Sequence, residues 1–251
     1  MKNINKHTAQ IVEIFTSPQG EGIYLGEKMT FIRFGRCNMK CQYCDTPSGL
    51  CHQNICRIET PEGSENFKEV SNPVSVTQLN DILRNFEADF LSITGGEPLE
   101  QTPFLNEWLS SEHSNRKILL ETNGTLHEEL SQVIPFVHIV SMDIKLPSST
   151  GSRARWDEHS LFLRKVMSAG IEVYIKIVVT GNTSNSDIEE AIRLINETNR
   201  YIPTIIQPAT PTLLFNDPIS SDRLKSVERL CSAYLNDVRV IPQMHKQWGV
   251  L

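Results

Sequence analysis

The chain has 251 residues, 39% of them hydrophobic and 22% charged, enough for the core of one larger α/β domain or two small ones. Lys and Arg number 24 against 30 Asp and Glu, a formal charge of −6 with no basic block to relieve it, so neither nucleic acid nor an anionic membrane surface is an expected partner. No apolar run approaches the roughly 18 residues of a membrane span, and the opening MKNINKHTAQIVEIF lacks a signal peptide's apolar stretch, which predicts a cytoplasmic protein.

In chain order, Gln10 to Phe15 predicts a strand pairing at a sheet edge, and Met29 to Phe34 predicts a strand. Residues 49–74, SGLCHQNICRIETPEGSENFKEVSNP, are polar, carry turn residues and keep no period. They read as an inserted loop, a candidate lid, within a single domain spanning 1–251. From residue 75 onward β-branched runs alternate with amphipathic stretches, the pattern of βα units with parallel strands. The strands are Phe90 to Thr94, Ile118 to Glu121, His138 to Ile144, Val173 to Val179, Thr204 to Ile206 and Val238 to Ile241. One helix follows Ser75, and a second starts at Thr102 as N-cap with Pro103 in the first turn. Others cover Glu158 to Ala169, stopped by Gly170, then Asp187 to Glu197 and Asp222 to Leu235, the last with Cys231 on its core side.

The polar segments share one placement. A cysteine cluster follows Met29 to Phe34, Gly95-Gly96-Glu97-Pro98 follows Phe90 to Thr94, Thr122-Asn123-Gly124 follows Ile118 to Glu121, and Lys145, Gln207-Pro208 and Gln243-Met244-His245 follow later strands. All fall at the carboxyl ends of predicted parallel strands, where barrel and open α/β enzymes build their sites. The last ten residues, Pro242 to Leu251, span about 33 Å when extended, enough to cross a barrel mouth.

Cys37, Cys41 and Cys44 lie within one octapeptide, a spacing that suits one metal centre in a reducing compartment. Thiolates select zinc, Cu(I) or iron–sulfur clusters, and three ligands to a four-iron cluster leave one iron open for catalysis. A structural zinc site needs a further ligand, for which only Cys51 or His52 offers itself. Cys51, His52 and Cys56 in the insertion leave a second metal site open.

The CxxxCxxC motif with Tyr43 before its last cysteine, followed after the next strand by Gly95-Gly96-Glu97-Pro98, resembles the radical S-adenosylmethionine superfamily. Gln19-Gly20-Glu21-Gly22, Phe31-Ile32-Arg33-Phe34, Cys44-Asp45-Thr46, Glu121-Thr122-Asn123-Gly124, Gln207-Pro208 and Gln243-Met244-His245-Lys246 narrow the resemblance to the 7-carboxy-7-deazaguanine synthase family. The resemblance implies a partial, incomplete parallel β/α barrel. It implies ring contraction of 6-carboxy-5,6,7,8-tetrahydropterin with loss of ammonia, a 4Fe–4S cluster, S-adenosylmethionine and Mg²⁺, a flavodoxin- or ferredoxin-type reductant, and a homodimer.

Carried over by position, Cys37, Cys41 and Cys44 hold the cluster and Thr46 the Mg²⁺. Tyr43, Asp45, Gly96, Glu97, Thr122, Asp143, Lys145, Gln207 and Pro208 fall on the S-adenosylmethionine side, with Glu97 accepting from an ammonium group. Pro18, Gln19, Gly20, Glu21, Arg33, Thr94, His245 and Leu251 fall on the substrate side. Physical chemistry suits several of these roles: Arg33 offers a fork to a carboxylate, Gln19 paired donors and acceptors, and Thr46 an oxygen to a hard cation.

Two positions depart from the family. Pro18 stands where leucine is common, and Asp143-Ile144-Lys145 where Ser-Pro-Lys is expected. The second resembles enzymes that install glycyl radicals on partner proteins, which keeps a protein substrate as the alternative. A non-enzymatic iron–sulfur or zinc module is a further one, although it would have no use for polar residues on six strand ends.

Overall fold

The computed structural model describes residues 7–46, 53–111 and 115–250. The chain opens with β1 (Thr8–Ala9) and β2 (Ile11–Pro18), turns through one 3₁₀ turn, Gly22–Tyr24, and returns as β3 (Lys28–Phe34) antiparallel to β2. Next come β4 (Ile55–Glu59), β5 (Phe67–Ser71), β6 (Val74–Ser75), α1 (Val76–Leu83), β7 (Phe90–Gly95), α2 (Thr102–Ser111) and β8 (Lys117–Thr122). The rest is α3 (His127–Val133), β9 (Ile139–Asp143), α4 (Pro147–Thr150), α5 (Trp156–Ser168), β10 (Glu172–Val179), α6 (Asn185–Asn199), β11 (Thr204–Pro208), α7 (Ser221–Ser232), β12 (Val238–Val240) and α8 (Met244–Trp248). None of the described helices is long and apolar enough to cross a membrane.

Ten strands form one sheet in the order β12-β11-β10-β9-β8-β7-β3-β2-β4-β5, and β3 with β7 to β12 makes a continuous parallel run. The sheet does not close, so the architecture is a partial β/α barrel, as expected. Strand alternation separates two apolar layers. Ile32, Leu120, Val140, Ile175, Ile177 and Ile206 pack with the helices, which contribute Leu79, Phe104, Trp108, Phe162, Ile188 and Val227. Their neighbours Phe31, Leu119, Ile139, Tyr174 and Ile205 join Phe15 and Met29 in a second cluster on the opposite face, near the amino ends of the parallel strands. Two or four residues further along, that face turns polar: Arg33, Glu121, Ser141, Asp143, Lys176 and Gln207 line a cavity instead. The apolar cluster thus floors a polar chamber.

Two expectations need correction. Within the expected loop 49–74, the described residues 53–74 are not structureless: β4 and β5 form an antiparallel hairpin whose first strand runs parallel to β2, aligning Glu13 with Arg57 and Ile14 with Ile58. This hairpin takes β2 from the sheet edge to its interior. The alternation of exposed Ile55 and Arg57 with buried Cys56 and Ile58 is too short to outweigh the turn residues around it in the sequence. Cys56 is fully buried in the helix-side core, as is Cys231, while Cys51 and His52 lie outside the described residues. Helical winding also begins before Thr102, in a 3₁₀ turn over Pro98–Gln101 capped by Glu97, and the Thr102 hydroxyl donates back to Leu99 O (2.7 Å) instead of capping. The Ser75 helix start is a full capping box with Gln78, worth about 1 kcal/mol.

Candidate active site

A cavity of about 310 Å³ opens at the carboxyl ends of the parallel strands. The loop after β3 brings Cys37, Cys41 and Cys44 to its wall, with Tyr43, Asp45 and Thr46 beside them. The loop is tied down from two sides, the end of α4 and the turn after β8. Gln42 N donates to Thr150 O (3.0 Å), Asn123 Nδ2 to Asn38 Oδ1 (2.7 Å), and Asn38 Nδ2 to Thr125 Oγ1 (2.8 Å). Burial pushes the Cys37 thiol up to about 12, and Cys41 in the same direction. Thiolate ligation there must therefore drive protons off, coupling metal uptake to proton release.

Glu97 does not reach the cavity. It is fully buried, with Oε1 accepting from Leu99 N (3.1 Å) and Thr122 Oγ1 (2.9 Å) and Oε2 from Asn123 N (2.7 Å). Its carboxylate binds the turn after β7 to the turn after β8 rather than offering itself to an ammonium group, and burial raises its pKa to about 7. Gly95 and Gly96, by contrast, line the cavity. Gly95 has φ +130°, and a Cβ there would lie 2.1 Å from Phe34 O, so only glycine permits this contact with β3.

On the β9 and β10 side a buried charge network runs along the wall. Lys145 Nζ meets Asp143 Oδ2 at 2.7 Å and the Tyr43 hydroxyl at 3.4 Å. Lys176 Nζ meets Glu21 Oε2 at 2.5 Å and lies 4.0 Å from Asp143 Oδ2. Among the described residues Asp143 Oδ1 and Gln207 Oε1 are buried with no hydrogen-bond partner, although both residues line the cavity. Unmet buried acceptors on a cavity wall suit a ligand rich in hydroxyl and amino donors. Three thiols on one loop, a glycine edge and these two acceptors together fit a thiolate-held cluster with S-adenosylmethionine beside it. Pro208, expected on that side, stands off the cavity, because strand alternation turns it away from Gln207.

Opposite, Pro18, Gln19, Gly20 and Glu21 supply the turn between β2 and β3, and Arg33 and Thr94, neighbours in register, supply the wall. Gln19 Nε2 donates to Glu121 Oε1 (3.2 Å), which also accepts from Ser92 Oγ (2.7 Å). Arg33 gives Nε to Glu13 (2.9 Å) and still lines the cavity, so its ion pair and a ligand role coexist. The tail is not extended. It winds into α8, and Met244 N donates to Gly20 O (2.9 Å) so closely that a Cβ on Gly20 would lie 2.4 Å from His245 Nδ1. Burial lowers the pKa of His245. Gln243 Nε2 bridges Glu21 Oε1 (2.9 Å) and Asp45 Oδ2 (2.7 Å), and Lys246 Nζ reaches Asp45 Oδ2 (2.9 Å). Burial opposes ionisation of Asp45, but Lys246, Gln243 and Lys176 prevail and hold its pKa well below the usual range. Leu251 lies outside the described residues.

Glu121, Ser141, Asn123 and Lys176 line the cavity without having been singled out as ligands. Lys176 carried a legible signal, the lone charge in the run Val173 to Val179, since an ammonium in an interior strand must meet partners.

Residues 31–195 match the Radical SAM superfamily. The chain is 39% identical to 7-carboxy-7-deazaguanine synthase of Geobacter sulfurreducens, over 99% of this chain and 100% of that one. It is 31% identical to the protein of the same name from Methanothermobacter thermautotrophicus, over 96% and 98%. Among solved structures, QueE from Escherichia coli superposes with a TM-score of 0.57 at 20% identity, covering 95% of each chain. Streptococcus suis SuiB bound to S-adenosylmethionine gives 0.55 at 16% identity, over 84% of this chain and 51% of that one.

Proposed function

The chain belongs to the 7-carboxy-7-deazaguanine synthase family of the radical S-adenosylmethionine superfamily, and from that membership we infer which residues carry each part of the reaction. The protein is a radical S-adenosylmethionine lyase of 7-deazapurine biosynthesis, using a 4Fe–4S cluster and S-adenosylmethionine. We propose 6-carboxy-5,6,7,8-tetrahydropterin as substrate and 7-carboxy-7-deazaguanine as product, with a flavodoxin- or ferredoxin-type reductant and a homodimeric assembly. One observation carries this reading: the three cysteines and the Gln19-Gly20-Glu21 turn line the same chamber, under a tail helix that narrows its mouth. A chamber of that size suits a small molecule.

When bound, the cluster and S-adenosylmethionine supply the radical that takes a hydrogen from the substrate and starts the ring contraction. The chain's own residues bind, orient and shield. Cys37, Cys41 and Cys44 hold the cluster, while Asp143 and Gln207 offer their unmet oxygens to the cofactor's donors. Lys145, fixed between Asp143 and Tyr43, presents a cation to the cofactor's carboxylate. Arg33, with Nε given to Glu13, keeps its remaining N–H groups for the substrate's carboxylate. The apolar floor of Phe15, Phe31, Leu119 and Tyr174 keeps water from entering below.

The decisive experiment is anaerobic reconstitution followed by assay with the pterin, reading the deazaguanine acid by mass spectrometry. Deuterium from labelled pterin is expected in 5′-deoxyadenosine. No transfer, with cluster and cofactor bound, would move the assignment to a partner-protein substrate.

Thr46 lines the cavity with its hydroxyl 3.2 Å from Asp45 Oδ1, and we assign it to Mg²⁺ shared with the substrate carboxylate. Thr46→Ala is expected to weaken the Mg²⁺ response of turnover by roughly tenfold or more while S-adenosylmethionine binding holds. Equal rates with and without Mg²⁺ in the parent enzyme would remove this role. Deleting residues 246–251 removes the Lys246–Asp45 pair, a half-exposed contact worth up to about 1 kcal/mol, so the pterin KM should rise about five-fold with iron content unchanged. Unchanged kinetics would show that the tail covers nothing.

A further inference from the structure

Lys176 is the one buried cation of the chamber, among the described residues, that stands between its two halves. It projects from the middle of β10, paired in register with Asp143 on β9, and its Nζ contacts Glu21 on the β2–β3 turn. Its side chain is only 12% exposed. An ammonium so placed in an interior strand carries a desolvation cost that only anionic partners offset; Glu21 and Asp143 are the ones in contact, and Glu121 adds its charge from further off. Asp143 has a closer partner in Lys145, at 2.7 Å against 4.0 Å. Glu21 has no other cation in contact among the described residues; its second oxygen accepts from the neutral Gln243 amide. Lys176 therefore matters more to Glu21 than to Asp143. Burial disfavours the charged form of Glu21, yet its pKa is lowered, chiefly by Lys176.

We propose that Lys176 is a positioning residue for substrate binding, holding the Glu21 carboxylate aimed into the chamber so that its free lone pairs accept a paired N–H edge, such as that of a 2-amino-4-oxopyrimidine ring. This rests on the reading of Glu21 as a substrate contact. A carboxylate has about four acceptor positions, and Lys176 and Gln243 occupy one on each oxygen, leaving one on each for a ligand's donor pair. The same bonds fix the plane of the carboxylate before the ligand arrives, which lowers the ordering cost of binding. Without Lys176, Glu21 would be a buried carboxylate with an amide as its one strong partner, drawn towards protonation or a turn away from the chamber.

The test is a double-mutant cycle on the cluster-loaded protein, reading pterin and S-adenosylmethionine dissociation constants separately. Lys176→Met is expected to weaken pterin binding about tenfold or more, with iron content intact and S-adenosylmethionine affinity within about twofold, since Lys145 keeps Asp143 paired. In a Glu21→Gln background the same substitution should cost less than about twofold, because its target is gone. Lys176→Arg, which keeps the charge, should recover most of the pterin affinity. Should Lys176→Met fail to load the cluster, the Glu21→Gln/Lys176→Met protein, which carries neither lone charge, and Lys176→Arg supply the comparison. Equal and additive losses, or a loss of S-adenosylmethionine binding matching that of the pterin, would overturn the proposal. If Glu21→Gln alone leaves pterin binding unchanged, the substrate role of Glu21 falls, and this proposal with it. If Glu21→Gln weakens binding but Lys176→Met does not, only the role of Lys176 falls.

Discussion

Alanine at any one of Cys37, Cys41 or Cys44 is expected to reduce turnover to background and to strip most of the iron from the anaerobically reconstituted protein. The three thiols line one chamber from one loop, and removing one leaves two ligands for a cluster that needs three. Cys56→Ala and Cys231→Ala should keep full iron content, because both side chains are packed in the helix-side core; each should cost about 1 kcal/mol of stability from lost burial. Cys51→Ala should keep it too. Iron and sulfide analysis beside thermal melting separates these outcomes, and iron loss in Cys51→Ala would overturn the three-cysteine assignment.

Gly95→Ala should be nearly as damaging although it removes no ligand. The added Cβ would meet Phe34 O at 2.1 Å and Phe34 N at 2.5 Å, both backbone atoms of the neighbouring strand, so no side chain can swing aside. Gly96 N also donates to Phe34 O (3.0 Å), which makes this end of the β3–β7 pairing the joint from which the cysteine loop departs. Backbone strain at a residue with φ +130°, together with the clash, should cost on the order of 3 kcal/mol and shift the cavity edge. The expected result is a lowered melting temperature with S-adenosylmethionine affinity reduced at least about tenfold. Ala at Gly63, whose φ is also positive (+73°) but whose Cβ position is open, separates the backbone strain from the clash. A Gly95→Ala protein that binds cofactor normally would show that the joint has slack.

The parallel strands and their site-bearing ends were legible because each strand is a short, largely apolar run followed at once by polar residues, as in Ile118 to Glu121 before Thr122-Asn123-Gly124. The hairpin of β4 and β5 was not, because five-residue strands beside Pro61, Gly63 and Pro73 are outweighed locally by their turns, and they form by pairing with β2, a contact remote in sequence. Glu97 shows another limit. Its motif announces a site, but whether a carboxylate points at a ligand or into the surrounding turns depends on which N–H groups the fold places near it, and Thr122 and Asn123 take it. The tail was foreseen over the chamber but not as a helix, since four of its bonds, from Met244, Gln243 and Lys246, are made to residues some two hundred positions earlier.

The hairpin that covers β2 also settles what the sheet shows to other molecules at its margins. One margin is β5, five residues long, with Lys68 and Glu69 exposed; the other is β12, three residues long, its exposed Arg239 clamped in a two-pronged pair with Asp237. Without the hairpin, β2 would show the unmet backbone groups around Glu13 and Ile14, with the apolar Ile11, Val12, Ile14 and Phe15 beside them, as an open edge for another strand to pair with. Short charged margins act instead as chain terminators against accretion, so the colloidal behaviour of this protein is guarded by the segment its own sequence makes hardest to read.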